Sequence, residues 1–161
     1  MKRIIATFAS ATVVALAAAG AFAQQAKTTI SLDTAKKAAA ACEALAKKEG
    51  WNMITAIMDD GGNLKYLSRM DNAFLGSIQI AQLKANTSAS FPFSTRQVGD
   101  IAQKYVPGIV HVPGVVTFAG GLPIVTAKGE HLGSIGVSGA SADQGQQRAQ
   151  AALDAVKSDL G

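Results

Sequence analysis

The chain has 161 residues, 15 basic against 11 acidic side chains for a formal net charge of +4, and a single cysteine. That length suits one domain behind a leader. So weak a net charge excludes the strong positive field expected of a nucleic-acid or anionic-membrane binder, and one cysteine excludes an intrachain disulfide.

The leader comes first. Lys2 and Arg3 precede an alanine-rich apolar run over 4–20, and Ala21-Phe22-Ala23 places small residues where a signal peptidase reads them. Residues 1–23 are therefore expected to be a cleaved secretory signal peptide, and 24–161 a single mature domain, periplasmic or secreted. The apolar run is short for a membrane span and no basic stop follows it, so no span is expected after cleavage. Losing Lys2 and Arg3 lowers the net charge from +4 to +2.

Residues 32–49 form the first predicted helix, with Ser31 or Asp33 as its cap and Gly50 as its stop. Its apolar stripe is small: Ala35, Ala38, Ala39, Cys42, Leu45 and Ala46. Cys42 reads there as a small buried hydrophobe. Strands are predicted over 51–58 and 63–70, joined by Asp59-Asp60-Gly61-Gly62. The aspartates are read as turn residues rather than a catalytic pair.

Leu75, Ile78, Ala81 and Ala85 recur at helical spacing and predict a helix over 72–89, with Lys84 and Thr87 on one face. Phe91-Pro92-Phe93 interrupts it, and Ser94 with Gln97 predicts a capping box for a short helix ending near Lys104. Residues 105–113, with two prolines and His111, read as a loop. Strands follow over 115–118, 122–127 and 131–137, the first two joined by Ala119-Gly120-Gly121. A helix over 142–160 closes the chain, with Ser141 and Gln144 as a second capping box. The expected fold is α/β of the α+β type. A mainly antiparallel five-stranded sheet is flanked by helices in the order α-β-β-α-α-β-β-β-α.

Several chemistries can be weighed on these elements. Two isolated histidines, His111 and His131, give poor support to zinc, though His111 in its loop is a candidate haem ligand. Gly136-Val137-Ser138-Gly139-Ala140 resembles a nucleophile elbow but has alanine where the last glycine belongs, on a chain far shorter than the fold that uses it. Glycines at 133, 136 and 139 do not space as a dinucleotide loop, so no nucleotide site is expected. They allow close packing, and the helix start after Ser141 offers free N–H groups as an anion corner, weakened by Asp143. Arg69, Lys84 and Thr87 with Phe91 and Phe93 form another set: turned inward, two cations beside aromatic rings suit a carboxylate on a flat or apolar ligand. Turned outward, they are ordinary solvated charges.

Four blocks in order, DDGGNLKYLSRMDNA, IAQLKANTSASF, FAGGLPIV and GEHLGSIGVSGASADQ, are together similar to the GlcG/HbpS family, whose domain also ends PduO-type corrinoid proteins. The resemblance covers residues 32–160. It implies an antiparallel sheet flanked by helices, homo-oligomers, and a pocket near the second helix for haem or another acidic small molecule. Exported members bind haem and can serve as accessory sensors beside a membrane kinase. By position it nominates Lys84 and Thr87 from L-K-A-N-T, Arg69 from R-M-D, and Gly120 and Gly121 from G-G-L-P. No axial iron ligand carries over. The expected function is thus an exported small-molecule-binding protein, for haem or a related tetrapyrrole, in a sensing or storage role. The alternative is an isomerase or lyase acting on a carboxylic acid, with Lys84 as cation or base and Asp71 as acid/base partner.

Overall fold

The computed structural model describes residues 27–161, so the leader and its cleavage point lie outside the described residues. Four helices are present: α1 (Leu32–Lys48), α2 (Gly76–Ser90), α3 (Thr95–Lys104) and α4 (Ala142–Ala155). Four strands, β1 (Ile54–Asp59), β2 (Leu64–Arg69), β3 (Gly121–Val125) and β4 (His131–Ser138), form one antiparallel sheet in the order β2-β1-β4-β3. The fold is α+β, in the order α-β-β-α-α-β-β-α.

Period-two alternation sorts the two central strands between two cores. On one face, Met53 and Ile57 from the β1 side and Ile135 and Val137 of β4 meet the alanine stripe of α1 and Ala149, Ala152 and Val156 from the C-terminal helix and its end. Cys42 is fully buried in this core, where the Thr55 hydroxyl donates to its sulfur at 3.2 Å and burial pushes the thiol pKa up. On the other face, Ile54, Ala56 and Met58 meet Ala81 and Ala85 of α2.

That second face of β4 carries only Ser134, Gly136 and Ser138, which lets α2 lie directly on the sheet. The Ser134 hydroxyl donates to the Ala85 carbonyl at 2.6 Å. A Cβ at Gly136 would collide with the Ala81 carbonyl oxygen and stand 2.5 Å from the Ala85 nitrogen. The expectation that glycines in this strand serve close packing is met by helix against strand.

The expected strand over 115–118 is absent, which makes the sheet four-stranded rather than five-stranded. Its backbone is satisfied in another way: the Val116 N–H donates to the Thr87 hydroxyl of α2 at 3.0 Å. Gly99 of α3 also presses so closely on the Thr117 carbonyl that a side chain there would collide with it. With the Val116 N–H taken by α2, that donor is not free for a strand ladder. Within the expected loop over 105–113, Pro107–His111 winds into a 3-10 turn.

Helix α2 begins at Gly76 rather than near Asn72, because Asn72 takes a left-handed φ of 61° and closes a turn in which Ala73 N–H donates to the Met70 carbonyl. Helix α4 ends at Ala155, short of 160, and a 3-10 turn over Lys157–Asp159 tucks Leu160 against the core. Both capping boxes form, Ser94 with Gln97 and Ser141 with Gln144. The Asp59 carboxylate holds its hairpin by accepting from the N–H groups of Gly61 and Asn63, each at 2.9 Å.

Candidate ligand-binding site

Lys84 projects from the middle of α2 toward the end of β4, and its residue is 2% exposed. Its Nζ donates to the Val137 carbonyl at 3.0 Å and lies 5.0 Å from the centroid of the Phe118 ring. It takes part in no ion pair among the described residues. Burial without a counter-charge disfavours the ammonium, and the pKa is pushed down to about 8.

Glycine makes room for this amine. A Cβ at Gly120 would stand 2.6 Å from Nζ and 2.8 Å from the Val137 oxygen, and Gly120 has a φ of 122°, which L side chains rarely adopt. Its carbonyl accepts from the Val137 N–H at 2.8 Å, so the same tight corner places the acceptor that anchors Lys84. At Gly121 the N–H donates to the Thr95 hydroxyl at 3.0 Å, tying α3 to β3 under α2.

Lys84 helps to line a cavity of about 250 Å3 whose other walls are Phe74, Ser77, Ile80, Phe118, Ser138, Gly139, Ala140 and Ala142. The corner after β4 is thus one wall of the cavity, next to the start of α4. Asp143, whose charge weakened that corner on paper, pairs with Arg96 instead. No carboxylate among the described residues enters the lining.

The remaining sequence-nominated residues lie elsewhere. Arg69 is exposed and lines a separate, polar depression with Asp71, Glu43 and Lys47, and its guanidinium reaches the Ala73 carbonyl at 3.4 Å. Lys84 and Arg69 therefore do not share a cavity, nor do Lys84 and Asp71. Thr87 is fully buried and braces the fold: its hydroxyl donates to the Leu83 carbonyl at 2.9 Å while accepting from Val116. Phe91 caps the end of α2 and is half-buried, Phe93 is exposed, and His111 is exposed at the end of the 3-10 turn; none of the three lines the cavity. Phe74 and Ser77 were missed although helical spacing sets Ser77 and Ile80 on the Lys84 side of α2. Phe118 had no such signal, because it arrives from an irregular segment.

Residues 30–154 match the family described as haem degrading protein HbpS-like. The chain belongs to this HbpS-like family. A Citrobacter freundii protein, described as an uncharacterized 15.0 kDa protein in the dhaT-dhaS intergenic region, is 35% identical over 130 residues, 78% of this chain and 91% of that one. The crystal structure of a double mutant of Streptomyces reticuli HbpS is 31% identical and covers 99% of both chains with a TM-score of 0.78. A crystal structure of a PduOC:heme complex is 27% identical, covering 80% of this chain and 95% of that one, with a TM-score of 0.72. These likenesses agree with the GlcG/HbpS resemblance read from the four sequence blocks.

Proposed function

We propose that this HbpS-like protein is exported and binds haem or a related tetrapyrrole through its propionate and apolar ring, in an accessory sensing or storage role. The observation that carries this is Lys84, a desolvated cation without a counter-charge among the described residues, beside two aromatic side chains that remain open to solvent, Phe74 at 72% and Phe118 at 45%. A haem presents the matching surfaces, an acidic edge and a broad apolar face. The structure of the PduOC:heme relative and the family description support the same ligand class.

The lining fits the acidic edge and not the iron. Among the described residues it contains no histidine, cysteine, methionine or tyrosine, the side chains that ordinarily hold haem iron. An iron ligand has to come from outside the cavity, and exposed His111 is the candidate. Bound haem would supply an absorbance band sensitive to its environment. Titration of the purified protein with haemin at micromolar concentration is expected to give a saturable Soret shift, altered in His111→Ala if that residue ligates iron. An unchanged spectrum across the titration overturns the proposal, whereas identical spectra for the two proteins remove only His111.

The alternative lyase or isomerase gains nothing specific from the geometry. Asp71, its intended acid/base partner, lines the depression that holds Arg69 rather than the Lys84 cavity.

A further inference from the structure

The Lys84 cavity measures about 250 Å3, below the roughly 300–1,000 Å3 that encloses drug-sized ligands. A cavity of that volume does not enclose a whole tetrapyrrole. What fits inside is smaller, and the walls specify its chemistry.

Among the described residues, Lys84 is the sole ionisable side chain in the lining. An ammonium has three donors, and the Val137 carbonyl takes one, leaving two for a ligand. A charge removed from water is costly until it is paired, and no carboxylate among the lining residues pairs it. Asp143 at the neighbouring helix start is not a lining residue and pairs with Arg96. Ser77 and Ser138, both buried, are also among the lining residues, and each carries a hydroxyl that can donate to an anion. The rest of the lining is apolar or backbone-like: Phe74, Ile80, Phe118, Gly139, Ala140 and Ala142.

We infer that this cavity is a binding site for one carboxylate group on a short apolar tail, the carboxylate meeting Lys84 Nζ and the serine hydroxyls and the tail lying against Phe74, Ile80 and Phe118. A single cation balances a single negative charge. A phosphate dianion, or a dicarboxylate short enough to lie wholly inside, would leave the second charge buried and unpaired, so the enclosed part of the site selects a single negative charge. The burial-depressed pKa of Lys84 supports the same chemistry, since a bound carboxylate favours the protonated amine.

Two sources present this group: a free short-chain acid, or the propionate arm of a tetrapyrrole whose ring remains outside on Phe74 and Phe118. The inference rests on the same cavity as the proposed function but does not require iron or haem. The experiment is a calorimetric titration of the purified protein with propionate, butyrate and 3-phenylpropionate, with methyl propionate and succinate as controls, and a parallel Soret titration with haemin and with haemin dimethyl ester.

Saturable binding of a monocarboxylate is expected, at least about tenfold weaker for succinate and in Lys84→Met, and not detectable for methyl propionate. A Lys84→Met protein that keeps its wild-type circular dichroism shows that the loss is local; Lys84→Arg, which keeps the charge, provides a second variant if methionine is not tolerated. Acid binding that competes with haemin, together with weakened binding of the dimethyl ester, identifies the propionate arm as an occupant. Acid binding that leaves the haemin titration unmoved identifies a site for a free acid. If the acids bind and haemin does not, the site stands and the haem proposal falls. If no acid binds and haemin and its dimethyl ester behave alike, the inference is overturned even where haem itself binds.

Discussion

An ammonium group held at 2% exposure with one carbonyl acceptor lowers the stability of the fold that buries it, and the depressed pKa of Lys84 fixes the direction of the resulting pH dependence. Below pH 8 the folded and unfolded chains both carry the proton, and the folded chain bears the whole desolvation cost. Between about 8 and the ordinary lysine value of 10.5 the folded chain releases the proton while the unfolded chain keeps it. Stability therefore rises with pH across that window, by no more than about 3 kcal/mol. Lys84→Met retains the length of the side chain and removes the charge. Replacement of a buried charge by an apolar group of similar volume is commonly neutral or stabilising, so the variant should be as stable as the wild type at pH 7, or more stable by about 1–3 kcal/mol. Urea unfolding of both proteins at pH 7 and pH 10 reads this directly. The gap should narrow at the higher pH, and a constant gap would show that Lys84 does not titrate between those values. A residue that costs stability where methionine would not is a candidate for selection by ligand rather than by fold.

Between elements, the contact that places this lysine is the seating of α2 on β4, and it depends on side chains that are nearly absent. Gly136→Ala drives a methyl group into the Ala81 carbonyl and toward the Ala85 nitrogen, both of them helix backbone with little freedom to yield. Overpacking of this kind costs about 1–3 kcal/mol, measured as a lower urea midpoint. A shift of α2 away from the sheet also carries Lys84 from the Val137 carbonyl, so any ligand affinity should fall with it; full stability in Gly136→Ala would refute the seating.

The same pair of elements shows how much of the molecule the sequence revealed. The strand expected over 131–137 forms as β4, and the helix-cap residues Ser94 and Ser141 located two helix starts. Local spacing also put Lys84 and Thr87 on one face of α2. Spacing could not reveal that Thr87 turns its hydroxyl to the backbone of Val116 and so replaces a strand ladder with a side-chain contact. For the same reason the sheet has four strands where Val115, Val116 and Phe118 suggested a fifth. The partnership of Lys84 with Phe118, and the separation of Lys84 from Arg69, depend on long-range packing with no periodic signature.

For the whole molecule, the question is what surrounds the cavity mouth. Phe74 and Leu75, adjacent in sequence, are 72% and 76% exposed, in a chain with only 6% aromatic residues. An exposed apolar pair costs solubility and marks a contact surface when it joins others into a patch; Phe118, which lines the same cavity as Phe74, is also exposed. The family resemblance leads to the expectation of homo-oligomers, and a second copy covering this surface would bury Leu75 while bordering the ligand site. On the proposed export, protein expressed as the full chain and recovered by osmotic shock is expected to begin at Gln24; on the expected assembly, light scattering should give a mass that is a multiple of the single mature chain. Leu75 does not line the cavity, so Leu75→Glu tests the contact without altering the site: a buried, unpaired carboxylate at an interface costs several kcal/mol, on the order of 2–5, enough to shift the mass toward the monomer at micromolar concentration. A wild-type protein that already runs as a monomer would remove the assembly. A Leu75→Glu protein with unchanged mass would move the contact to another face. If dissociation weakens ligand binding although no lining residue has changed, the cavity owes part of its walls to the neighbouring copy, and affinity should then depend on protein concentration.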